Sequence, residues 1–313
     1  MAAMLVRMLA IALNTYREAV RARLLLGIFA LGLATCAYSL VIATLSLHNE
    51  TRVVADLSAA SMSLYGVIMA IAIGSTSLYR ELEHRTIFPI LSRPIARWEY
   101  LLGKYFGTML TVAVFVGVDA AASLMLLAIE AGQPPARIAT ALVVDAVALL
   151  ALLLATRRGR VFAAIFFTPI AVLVSFLLAS PAPDERQLIA ASAVLAVCEV
   201  AVVASVATMF SSFSTPVLTA TFTAMVFVIG RSTDTMARLP QKALGPAVAT
   251  AAHALARIFP NLHVYVPART LLLGHAPTIA VWPYVAMAAV QAVAYSAGLL
   301  VLGIVAFRRR DFA

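Results

Sequence analysis

Charge is what this sequence has least of. Only 12% of its 313 residues are Asp, Glu, Lys or Arg, and 63% are hydrophobic. Soluble domains run nearer about 25% charged and about 45–50% apolar. No stretch is long and polar enough to fold as a separate soluble domain, so the chain reads as one membrane domain. Cysteine is almost absent. Cys36 and Cys198 both lie inside apolar runs and read as small buried hydrophobes, which argues against a disulfide framework or a cysteine metal site. Nucleotide-binding and hydrolytic motifs are missing too: there is no G-x-x-x-x-G-K-[ST], no H-E-x-x-H, no C-x-x-C and no G-x-S-x-G. Gly103-Lys104 has neither the upstream glycine loop nor the following hydroxyl of a phosphate-binding loop. No nucleophile–base pair is visible. The chain is therefore not expected to be an enzyme, and any ATP it depends on would be hydrolysed by another chain.

What is present is a series of apolar runs, each near the roughly 20 residues that cross a bilayer as a helix. We assign spans at 24–46, 57–79, 104–129, 138–156, 161–180, 188–210, 216–231 and 279–307. The span at 216–231 is the shortest, running from Pro216 to Arg231, and three readings stay open for it: a crossing with little tilt, continuation past Arg231, or a re-entrant segment. The first run follows more than twenty amphipathic residues and is too long for a signal-peptide core, so no cleaved leader is expected. Residues 4–22 place Leu5, Leu9, Ala12, Leu13, Tyr16 and Val20 on one helical face, with Arg7, Asn14, Arg17, Glu18 and Arg21 opposite. That segregation predicts an interfacial helix.

The net charge of +9 could suggest nucleic acid, but the cations cluster at the ends of the apolar runs, so no nucleic-acid partner is expected. With the N-terminus inside, the cytoplasmic segments hold fifteen cations. The three short outer loops hold one each, Arg52, Arg137 and Arg186. The positive-inside bias thus predicts a multi-pass membrane protein with both termini cytoplasmic. The segment 231–278 falls outside. Its proline- and histidine-broken apolar stretches predict short helices on or in the outer interface.

Three acids lie within predicted spans: Asp119, Asp145 and Glu199. No Lys or Arg lies at comparable depth in these assignments. Each is expected to be neutral or to face water, either lining a translocation path or bonding between helices. His48, His253, His263 and His275 fall outside and there are eleven methionines, but their spacing matches no ligand motif, and neither a metal nor another cofactor is expected on this chain. "GKYFG", Gly103–Gly107, fits G-x-x-x-G, a weak motif in a span rich in Ala and Gly.

The densest mixed-charge stretch is "ELEHRTIFPILSRPIARWEYLLGK", Glu81–Lys104. It reads as a cytoplasmic loop over 80–103. The second span is prolonged to Arg85, an apolar patch is bounded by prolines, and a helix restarts with Ser92 as cap and Pro94 in its first turn. Trp98 and Tyr100 are expected at the interface. A plain turn needs only a few residues. An apolar tip with a charged collar is a docking surface.

This stretch resembles the coupling-helix region of ABC-2 type transporter permeases. It is closest to the branch that includes the permease of the nitrous-oxide-reductase copper-maturation transporter. The residues that carry the likeness are Glu81 and Glu83, Thr86, Ile87 to Leu91, Ser92 to Pro94, Trp98 with Glu99, and Gly103 with Lys104. "SSFSTPVLTATFT", "FPNLHVYVP" and "FRRRDF" resemble other parts of the family. Arg85 departs from it, since many members have Gly there.

The resemblance implies an all-α polytopic bundle of the type V exporter kind: an N-terminal interfacial helix and six core spans, here with an extra hairpin at 138–180. It implies a permease subunit in the lipid bilayer of a prokaryotic cytoplasmic membrane, paired with a second permease copy and with two copies of a separate ATPase that hold ATP and Mg. Glu81, Leu82, Glu83, Arg85, Thr86, Ile87, Phe88, Leu91 and Arg93 would form the ATPase contact. The cargo would be amphiphilic or lipid-like, exported or extracted. The alternative is a mechanotransmitter or anchor that moves a periplasmic or other outer-side protein.

Overall fold

The computed structural model describes residues 2–46, 49–83, 96–156, 159–237, 246–267, 272 and 280–308. Among them every regular element is helical. The elements in chain order are α1 (Ala2–Arg21), α2 (Arg23–Ala43), α3 (Glu50–Glu83), α4 (Arg97–Glu130) and α5 (Pro135–Ala155). After a 3-10 turn at Arg160–Phe162 come α6 (Ala163–Leu178), α7 (Pro183–Ser211), α8 (Pro216–Ala237) and α9 (Pro246–Ile258). A second 3-10 turn at Leu262–Tyr265 precedes α10 (Val281–Arg308). Eight of these segments are long and apolar enough to cross a membrane: α2, α3, α4, α5, Arg160–Leu178, α7, α8 and α10. The protein is a multi-pass membrane bundle.

The boundaries follow local chemistry. Prolines start α5 and α7 within their first turn, where the missing N–H costs nothing. α4 ends at Gly132, whose φ of 74° lets Gln133 N–H reach back to the Ala128 carbonyl at 3.1 Å. Gln133 Nε2 then donates to the Leu178 carbonyl at 2.6 Å, tying the end of α4 to the end of α6. α1 and α2 are separated by Ala22 alone, which stands extended with ψ 122°.

At the centre α3, α4 and α7 pack on one another. α10 and α8 lean on α7, α2 lies against α3 and α4, and α1 lies along α4. α6 packs on α4, while α5 touches chiefly α6. Leu142, Val143, Val147, Leu150 and Leu154 leave α5 exposed on most of its surface, as a lipid-facing helix would be. The predicted hairpin at 138–180 is thus a lateral pair, α5 and α6. In lipid, helices associate through close packing because exposed apolar surface is already solvated. Gly74 on α3 illustrates this: a β-carbon there would lie 2.6 Å from that of Ala207 on α7.

One open reading is decided and two expectations change. Of the readings for 216–231, the helix continues past Arg231 to Ala237, where the Arg231 charge is answered by Glu199. α4 starts at Arg97 with Ala96 extended before it; Ser92 and Pro94 lie outside the described residues. Tyr100, expected at the interface, is 1% exposed. The segment 231–278 contains a short helix, α9, and the 3-10 turn at Leu262–Tyr265. Leu262 and Tyr265 are buried against α8 and α7, and Tyr284 of α10 donates to the Val264 carbonyl at 2.6 Å.

Candidate functional site

The two longest helices, α3 and α4, each have 34 residues. At 1.5 Å per residue each is about 51 Å long, against a hydrocarbon core of about 30 Å. Both therefore extend beyond the membrane core, and 84–95 connects their ends. Glu81, Leu82 and Glu83 form the last turn of α3. Arg85, Thr86, Ile87, Phe88, Leu91 and Arg93 lie outside the described residues.

The far side of this connection is braced. Arg7 on α1 donates from Nε and Nη2 to the two carboxylate oxygens of Glu99, both at 2.9 Å. This is the bidentate geometry that suits guanidinium and carboxylate. That hydrogen bond raises the Arg7 guanidinium above its ordinary value. Glu18 of α1 lies 3.6 Å from Lys104 Nζ. Gly103 and Gly107 let the backbones approach: a β-carbon at Gly103 would meet Ile11 Cβ at 2.8 Å, and one at Gly107 the Ala12 carbonyl at 2.6 Å. The G-x-x-x-G that looked incidental is the seat of α1. From the other side, Arg97 Nη1 donates to the carbonyls of Arg308 at 3.2 Å and Phe307 at 3.4 Å. A cation there suits the last carbonyls of α10. Tyr16 of α1 is fully buried and donates to the Val161 carbonyl at 3.1 Å. The start of α4, the end of α10, the turn before α6 and α1 thus converge at one end of the bundle.

α1 sits differently from its amphipathic pattern. Ala12, Thr15, Tyr16 and Ala19 are buried, whereas Leu5, Val6 and Leu9 are exposed. The face that meets α4 lies about a quarter turn from the apolar stripe. The helix therefore has a face for protein, a face for lipid and a charged face.

The intramembrane acids separate. Asp119 is fully buried and accepts from Ser61 Oγ at 2.6 Å and Cys36 Sγ at 3.2 Å. Glu199 is fully buried, accepts from Ser63 Oγ at 2.6 Å and pairs with Arg231. This corrects the expectation that no cation lies deep enough to meet an acid. Arg231 stood at a predicted span end, and the continued α8 brings it to Glu199. Ser61 and Ser63, two residues apart on α3, point to different neighbours, one to α4 and one to α7. Asp145 joins neither group; it sits on the lateral α5 with Oδ1 buried and unbonded. The three acids do not converge on one place.

Two cavities complete the geometry. One of about 210 Å³, at the end opposite α1, is lined by Asp56, Ser63, Leu188, Ser192, Arg231 and Tyr265. The other, about 230 Å³ and almost wholly apolar, lies between α1, α2 and α4 and includes Tyr16, Val20, Leu25, Phe29 and Phe115.

No curated protein matches the chain. The family model described as ABC-2 family transporter protein matches residues 9–312. That span runs from α1 through α10 and takes in the braced start of α4, so the chain belongs to the ABC-2 family of transporter proteins.

Proposed function

We propose that this chain is the permease subunit of an ATP-driven transporter. It works as a pair of permeases on two copies of a separate ATPase that hold ATP and Mg. The observation that carries this reading is the braced connection between α3 and α4. α4 is gripped at its first turns by α1 and by the end of α10, so force applied to 84–95 would move a core helix instead of bending a loop. Glu81, Leu82, Glu83, Arg85, Thr86, Ile87, Phe88, Leu91 and Arg93 make the ATPase contact. The apolar members fill a groove and the charged ones set register. The α1 end faces the cytoplasm of a prokaryotic cell and the chain lies in its cytoplasmic membrane. The concentration of cations at that end supports this orientation.

The cargo is amphiphilic and is exported or extracted. In support, the cavity opposite α1 sets Leu188 and Leu272 beside Ser63, Ser192 and Arg231, joining apolar wall to polar groups. The likeness to copper-maturation permeases rests on the loop motif and speaks to how the subunit is driven, not to what it carries.

The test is Phe88→Glu with Leu91→Glu, co-expressed with the cognate ATPase. Loss of two apolar anchors should lower ATPase co-purification by about thirtyfold or more, with membrane insertion unchanged. Co-purification and substrate-stimulated ATP hydrolysis at wild-type levels would overturn the coupling assignment.

A further inference from the structure

The apolar groove at the turn from α1 into α2 is formed by elements that also carry exposed arginines. Tyr16, Ala19 and Val20 line it from α1, Leu25 and Phe29 from α2, and Ala164 from α6. Interleaved with these lining positions are Arg17 and Arg21 on α1, Arg23 at the start of α2, and Arg160 in the turn before α6. All four are exposed. Five other arginines are engaged: Arg7 with Glu99, Arg52 with Asp56, Arg97 with the end of α10, Arg186 with the Phe176 carbonyl and Arg231 with Glu199. Arg17, Arg21, Arg23 and Arg160 have no such partner among the described residues. The nearby acids are committed, Glu18 to Asn14 and Lys104, and Glu99 to Arg7.

A spanning helix begins at this turn, so the groove opens at the level where lipid headgroups meet acyl chains. An apolar slot at that level, formed by elements that also carry four exposed arginines, is complementary to one kind of molecule. We propose that the groove holds an acyl chain of an anionic phospholipid, with its phosphate gathered by Arg17, Arg21, Arg23 and Arg160. Guanidinium forks bind phosphate oxygens in pairs, and basic pockets between membrane helices favour anionic headgroups. A second copy of this chain is a poor occupant, because it would set two groups of four arginines against each other. A bound lipid would bridge α1, α2 and the turn before α6, holding in place the helix that braces α4. The site does not depend on the ATPase contact, and a failed loop experiment leaves it standing.

The test uses the full chain in nanodiscs containing equal amounts of phosphatidylglycerol and phosphatidylcholine with identical acyl chains. Native mass spectrometry after release then counts the lipid retained. One phosphatidylglycerol per chain should be retained in preference to phosphatidylcholine. Substituting Arg17, Arg21, Arg23 and Arg160 together by Gln should reduce that preference about tenfold or more. Val20→Trp, which fills the slot and leaves the charges, should displace the lipid as well. If the fourfold variant does not purify, Val20→Trp and the pair Arg17→Gln with Arg160→Gln read the same site. Arg137→Gln, at the opposite end, should change nothing. Equal retention of the two lipids overturns the proposal, as does a preference that survives both the charge and the slot variants. So does a Val20→Cys disulfide between two copies in the membrane.

Discussion

Each end of the bundle contains an Arg–Glu pair, and the two are built for different work. At the α1 end, Arg7 meets Glu99 in a two-pronged contact with 36% of the arginine side chain exposed. Glu99 lies in the first turn of α4, where the helix dipole already favours an anion. Toward the other end, Arg231 meets Glu199, a carboxylate with no exposure at all. There the carboxylate has Ser63 and Arg231 in place of water. The first pair fixes where a surface helix lies on a core helix. The second makes it possible for α8 to carry a cation alongside α7 within a bundle of otherwise apolar spans.

That contrast can be broken at its strongest point. Arg231→Met should leave Glu199 buried without its cation and cost about 3 kcal/mol or more. Thermal unfolding in detergent would show the loss, and adding Glu199→Gln should restore most of it. If the single variant is as stable as wild type, the buried pair is not holding α8. Next in size is Gly107→Leu, which drives a side chain into Thr15 and the Ala12 carbonyl. Overpacking of this kind costs about 1–3 kcal/mol. It should release α1 while leaving the spans inserted, read as protease cleavage within residues 2–21. Arg7→Met should be the mildest in the same unfolding measurement, because its pair lies at the edge of the bundle and the start of α4 still favours the Glu99 carboxylate. A loss as large as that of Arg231→Met would erase the distinction between the two pairs.

Much of the architecture was legible as sequence. The eight apolar runs correspond to the eight membrane-length segments, the amphipathic start to α1, and 138–180 to the lateral hairpin. The extension of α3 past Tyr79 was legible in its charges. What escaped notice was pairing. Arg231 looked like a span end because nothing local reveals that Glu199, 32 residues earlier, lies beside it. Gly103 and Gly107 looked incidental because their partners, Ile11, Ala12 and Thr15, are some ninety residues away. Tyr100 carried the composition of an interface residue and is packed inside, since aromatic rings suit both places.

By itself, then, the sequence determined the medium, the eight membrane-length segments, the amphipathic first helix and the charged connection between α3 and α4. Those depend on length, hydropathy and charge placement, which the bilayer reads segment by segment. Which faces meet, which acid finds a cation, and which helices enclose an apolar slot were decided only by tertiary structure. In lipid, a packed face and a lipid-facing face are both apolar. Periodicity therefore carries little information about burial, and small residues and polar partners distant in the chain choose the contacts.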